Sequence, residues 1–141
     1  MGLIVASTLL TVYYLRKGCD TLAAGFLIFA IGEGLILSGN ASDLNENVSS
    51  FGAGVILWAI SLVLISSQSV FPLAIRLTGF IAAILFSVVS INIFTGGLVN
   101  ALTEPLPFYA YPFFAVTIFG WGWTLLRTNS LALNIAELKN T

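Results

Sequence analysis

Residues 76–99 read RLTGFIAAILFSVVSINIFTGGLV, with a single cation at the start and no charge after it. At about 1.5 Å rise per helical residue, such a run is long enough to cross a hydrocarbon layer of roughly 30 Å. Three further stretches, 21–39, 50–66 and 108–127, have the same character. A fifth, 2–15, is apolar but would reach only about 21 Å as a helix, short of the full thickness. The whole chain agrees: it is 58% hydrophobic and 8% charged, with mean hydropathy +1.03, whereas soluble domains carry roughly 25% charged residues. The sequence therefore predicts an all-α membrane protein in the lipid bilayer: one domain over 1–141 built as a bundle of five transmembrane helices, or four if 2–15 does not span.

The ends of the runs carry helix punctuation. Asp20 and Thr21 suit an N-cap for the second helix, and Gly39 and Asn40 suit its stop. Pro72 fits the first turn of the fourth, where a missing amide costs nothing. Pro105 and Pro107 interrupt the chain before the fifth. Pro112 then either sits in the first turn of a helix starting at Tyr111, the favoured expectation, or kinks a longer one. No Lys or Arg precedes the first run, and Arg16 and Lys17 follow it, which inverts the order of a cleaved signal peptide. The run is expected to be an uncleaved helix with Tyr13 and Tyr14 at headgroup level.

Five spans put Arg16, Lys17, Arg76, Arg127 and Lys139 on one side and Asp43, Glu46 and Glu104 on the other. By the positive-inside rule the basic side is the cytoplasm. This places the N-terminus outside, a cytoplasmic tail at 128–141, and the protein in the cell membrane, inner or plasma. Phe51, Tyr109 and Tyr111 fall near the outer boundary, and Phe71, Trp121 and Trp123 near the inner one, where amphipathic rings anchor helices at the headgroups. Two glycosylation-type triplets begin at Asn40 and Asn47, so close to the membrane that they carry no functional weight.

What could act chemically is sparse. The chain has no histidine and one cysteine, Cys19, which removes the commonest general base and the commonest metal and haem ligand. Within the apolar runs there is neither a paired carboxylate motif nor a phosphate-binding glycine loop, so no catalytic residue, metal or cofactor is expected. A net charge of −1 without a basic cluster argues against nucleic acid as a partner.

Glu33 is the exception. It lies about 9 Å inside the outer end of the second run, where an ionised carboxylate is expensive. It is expected to face the bundle interior and to be protonated or paired. At similar depth Asn92, Thr95 and Tyr111 are candidate partners, with Ser61 somewhat deeper, and together they sketch a binding site. Small residues recur every four positions at Ala30, Gly34 and Ser38 and at Gly79, Ala83 and Ser87. Such stripes let backbones approach closely where lipid offers no hydrophobic force. The two helices are expected to pack together or against a partner protein, and Gly34→Leu or Ala83→Leu to be costly. The leading expectation is a non-catalytic bundle, a structural or accessory subunit engaged with another membrane protein or with itself. The alternative is a small transporter or solute-binding protein using Glu33.

Overall fold

The computed structural model describes residues 1–40, 48–96 and 105–139, with side chains at 1–38, 48–96 and 108–128. The described residues form five helices and no strand: α1 (Gly2–Arg16), α2 (Asp20–Asn40), α3 (Val48–Ser66), α4 (Leu73–Phe94) and α5 (Pro105–Lys139). Three stretches, Asp20–Ser38, Val48–Ser66 and Leu73–Phe94, are long and apolar enough to cross a membrane, and α1 is a shorter apolar helix.

Local chemistry sets the turns. Gly18 adopts φ +69°, and the amides of Gly18 and Cys19 bond the carbonyls of Leu15 (3.0 Å) and Tyr14 (2.9 Å). This paired pattern around a left-handed glycine closes the last turn of α1 and reverses the chain. Gly96, also left-handed at φ +85°, ends α4, with its amide 3.3 Å from the Ile93 carbonyl. The fourth helix therefore stops at Phe94, not at Val99 as its apolar run suggests. Between α3 and α4 a cation performs the capping: Arg76 Nε donates to the Ser66 carbonyl (2.7 Å) and Nη2 to that of Ser67 (3.2 Å). A cation there also suits the negative end of the α3 dipole.

Among the described residues only helices consecutive in sequence bring their backbones together: α1 with α2, α2 with α3, α3 with α4, and α4 with α5. The closest approach uses glycine on both sides. A Cβ on Gly32 of α2 would lie 3.0 Å from the Gly54 carbonyl oxygen, and one on Gly54 of α3 would lie 2.8 Å from that of Gly32. Polar ties join the next pairs. Ser90 Oγ donates to the Gly52 carbonyl across α4 and α3 (3.0 Å), and the Thr117 and Thr78 hydroxyls meet across α5 and α4 (3.0 Å).

The interior is aromatic. Trp58 of α3 stacks on Phe114 of α5 with ring centres 4.5 Å apart, Phe29 of α2 lies 5.8 Å from Phe114, and Phe86 of α4 meets Phe114 edge-on at 5.3 Å. One layer away, Trp121 of α5 contacts Phe26 at 5.6 Å and Phe71 at 6.0 Å, and Tyr14 of α1 stacks on Phe26 at 5.7 Å. These rings, not backbone contact, bring α5 against α2 and α3. The layer around Trp121 marks the end of the bundle where α1 closes, α4 opens and the described cations Arg16, Lys17, Arg76 and Arg127 lie.

Several expectations are corrected. Tyr14, Phe71 and Trp121 are not interfacial anchors: all are buried, at 3%, 2% and 4% exposure. Aromatic area packs against aromatic area with favourable ring geometry, and that draws them inward. Trp123 is 71% exposed and Tyr109 59%. Asp20 is the first residue of α2 and not its cap, placing a carboxylate in the first turn where the helix dipole favours it. Pro72 is the N-cap of α4, one position before the first turn. The fifth helix starts at Pro105, not Tyr111, and contains Pro112. Pro105 and Pro107 occupy a first turn whose amides lack intrahelical partners anyway. The segment expected as a tail is helical as far as Lys139. Asp43, Glu46 and Glu104 lie outside the described residues.

Of the two packings expected of the stripes, the direct one is not found: among the described residues the backbones of α2 and α4 do not approach each other. Gly34 has open space where a Cβ would be, and Ser38 is exposed. Ala30 is buried, but the close contact of α2 falls on Gly25 and Gly32. On α4 the stripe is used. Gly79 faces the Ser66 hydroxyl and Thr117, Ala83 is 2% exposed, and half-buried Ser87 returns its hydroxyl to the Ala83 carbonyl at 2.8 Å.

Candidate functional site

The site is built on one face of α2. Leu22, Phe26, Phe29 and Glu33 follow at spacings of four, three and four, which places them on a single helical stripe. The first three are buried core residues, so Glu33 shares the inward face, as expected from its depth. It lies one turn beyond Phe29, on the side of the aromatic layer away from the basic end. The antiparallel α1 reaches this level only with its first residues, and Glu33 is left half-buried.

Its Oε2 is enclosed and has no hydrogen-bond partner among the described residues. Phe29 of α2 and Phe114 of α5 lie 5.8 Å apart between ring centres, and Glu33 and Tyr111 each stand one turn beyond them toward the same end, which sets both side chains at one level of the bundle. Tyr111 is held by the core: its ring meets Phe86 edge-on at 5.8 Å, and Phe86 in turn contacts Phe114 and Trp58. The arrangement is a carboxyl and a phenol at the rim of an aromatic floor.

Two of the other expected partners, Ser61 and Thr95, are employed elsewhere. Ser61 is fully buried and donates to the Trp58 carbonyl of its own helix at 2.9 Å. Thr95 is exposed and donates to the Ile91 (2.9 Å) or Asn92 (3.3 Å) carbonyl in α4. Asn92 is half-buried on α4, one position from Ile93, which packs toward Gly52 of α3. Short hydroxyl side chains in helices bond back to the preceding turn, so similar depth does not bring them to Glu33. Of the four, Tyr111 stands beside the aromatic layer on the same side as Glu33.

Among the described residues no three His, Cys, Asp or Glu side chains gather in a way that could hold a metal ion. Cys19 is a free, half-buried thiol beside the α1–α2 turn, its Sγ 3.9 Å from the Lys17 carbonyl oxygen.

Sequence reasoning passed over the polar residues that do join helices: Arg76, Ser90 and Thr117. Arg76 was read only as a topology marker. Ser90 shares the stripe of Ala83, Phe86 and Ile93, a signal available only once that stripe is known to face inward. The chain matches no family model, no curated protein and no solved structure.

Proposed function

We propose that the chain is a non-catalytic membrane bundle that works by helix packing, as a structural or accessory subunit of a larger membrane assembly. The observation that supports it is the interlocked aromatic interior. Rings from α2, α3, α4 and α5 meet at 4.5–6.0 Å between centres, filling the middle of the bundle where a transporter would place polar groups along a path. In this reading α1 and the apolar part of α5 cross the membrane together with α2, α3 and α4. The basic end faces the cytoplasm, and the N-terminus faces outside. The lipid-side opening at Gly34, beyond the cover of α1, gives a partner helix room for close contact.

The test is the mass and composition of the particle extracted in a mild detergent. A stoichiometric foreign subunit, or a defined multiple of the 15.0 kDa chain, is the expected result. Gly34→Leu should break up that particle while leaving the isolated chain folded. A lone chain in every mild detergent, unchanged by Gly34→Leu, would overturn the reading.

A second reading, solute binding at Glu33, is favoured by one observation: an enclosed carboxyl oxygen without a donor, beside a tyrosine and open on its other side. Buried acidic groups in membrane proteins are costly and mark ligand or ion sites.

A further inference from the structure

We propose that Glu33 and Tyr111 form a binding site for a small organic ammonium ion bearing an apolar body, at the end of the bundle opposite the basic residues. This rests on the solute-binding reading of Glu33 and names its ligand class.

The carboxyl sits on the inward stripe of α2, one turn beyond Phe29, with Oε2 enclosed and unpartnered among the described residues. Such a group is satisfied by a donor or cation that enters from outside the fold. Access exists, because Glu33 is half-buried and Tyr111 is 41% exposed. On the inner side, Phe29, Phe114 and Phe86 are nearly fully buried and close the site with a floor of rings.

The donor set selects the cation. Magnesium and calcium need six or more oxygen ligands, mostly carboxylates, carbonyls and water, and no group of three acidic or other metal-binding side chains forms among the described residues. One carboxylate, one phenol and an aromatic floor suit a weakly hydrated organic cation instead. The ammonium pairs with Glu33, and the face of Tyr111 attracts it through the ring quadrupole. Low polarity beneath accepts the apolar body. A neutral alcohol of the same shape would gain the apolar contact but leave the carboxyl without a charge partner.

The experiment follows thermal unfolding of the full chain in dodecyl maltoside, a detergent without an ammonium group. The amino terminus is acetylated so that Met1 contributes no charge. The probes are 2-phenylethylammonium chloride, 2-phenylethanol and sodium chloride. Ligands that bind the folded state raise its apparent stability by RT ln(1 + L/Kd), L being the free ligand concentration. The ammonium should raise the midpoint logarithmically with concentration above its Kd, and the alcohol should not. Glu33→Gln should weaken the ammonium effect at least tenfold, Tyr111→Leu severalfold, and Tyr111→Phe little, since the ring face is kept. If Glu33→Gln fails to fold, Tyr111→Leu and the ammonium–alcohol contrast in the wild type still decide.

Equal effects of ammonium and alcohol would overturn the proposal, as would an ammonium effect untouched by Glu33→Gln. Stabilisation by sodium alone that depends on Glu33 would overturn the ammonium class while upholding solute binding there. No response to either cation would remove both. Competition with added phosphatidylethanolamine distinguishes the source of the ammonium: displacement of the probe supports a lipid headgroup, and its absence supports a soluble amine.

Discussion

Arg76 shows how far one side chain can depart from its apparent role. In the sequence it is a charge at the edge of an apolar run. In the fold its guanidinium holds the last carbonyls of α3 from the first turn of α4, so that it sets the hairpin as well as the charge balance. Arg76→Met should destabilise the chain by about 1.5–3 kcal/mol, the range for hydrogen bonds to charged groups. Arg76→Lys should recover part of the loss, because an ammonium keeps the charge but not the planar fork. Reversible unfolding in mixed micelles measures both. Glycines differ in the same way. A Cβ at Gly54 would come 2.5 Å from Ile36 Cγ1 and 2.8 Å from the Gly32 carbonyl oxygen, whereas one at Gly34 meets nothing within 4 Å. Gly54→Ala should therefore cost about 1–3 kcal/mol by overpacking. In the isolated chain Gly34→Ala should be neutral or slightly stabilising, since it restores helix propensity. A loss at Gly34 equal to that at Gly54 would contradict the α2–α3 crossing described above.

At the level of elements, the existence and class of the helices were legible, because length and hydropathy dictate them directly. Their partners were not. A helix that is apolar all round has no polar face to show which side turns inward, so the stripe at Ala30, Gly34 and Ser38 looked equivalent to the one at Gly79, Ala83 and Ser87. Of the former only Ala30 is buried, whereas the latter is engaged within the chain along its length. Glu33 was legible as a costly residue, and its inward face as well. Its companions were not, because depth along an axis says nothing about rotation around it, and Ser61 and Thr95 turn their hydroxyls back onto their own helices. Aromatic placement failed in part, for a related reason: one stretch, Gly120 to Trp123, holds both a core ring and an exposed one. Trp121→Ala should cost about 2–3 kcal/mol, below the 3–5 typical of water-soluble cores because lipid itself solvates apolar surface. Trp123→Ala should change stability by less than about 0.5 kcal/mol. Lipid-phase quenchers should quench Trp123 strongly and Trp121 weakly.

For the molecule as a whole, the expected arrangement has Lys17 on the cytoplasmic side and Thr95 outside, at opposite ends of the bundle. Single cysteines at these positions in a Cys19→Ser background should react with impermeant reagents from opposite faces of a sealed cell or vesicle. Labelling of both from the same face would contradict the alternation of helices, and reversal of the two would invert the proposed orientation. The pairing of each helix with its predecessor also has a consequence for how the chain is made. Among the described residues every close backbone contact between helices joins neighbours in chain order, so each helix leaving the ribosome finds its partner already in place. The aromatic rings of α5, delivered last, then lock Phe26, Phe29 and Trp58 from three different contacts. Synthesis arrested before residue 105 should yield a four-helix intermediate whose tryptophan, Trp58, is mobile and reachable. Completion of the fifth helix is the step that renders it rigid.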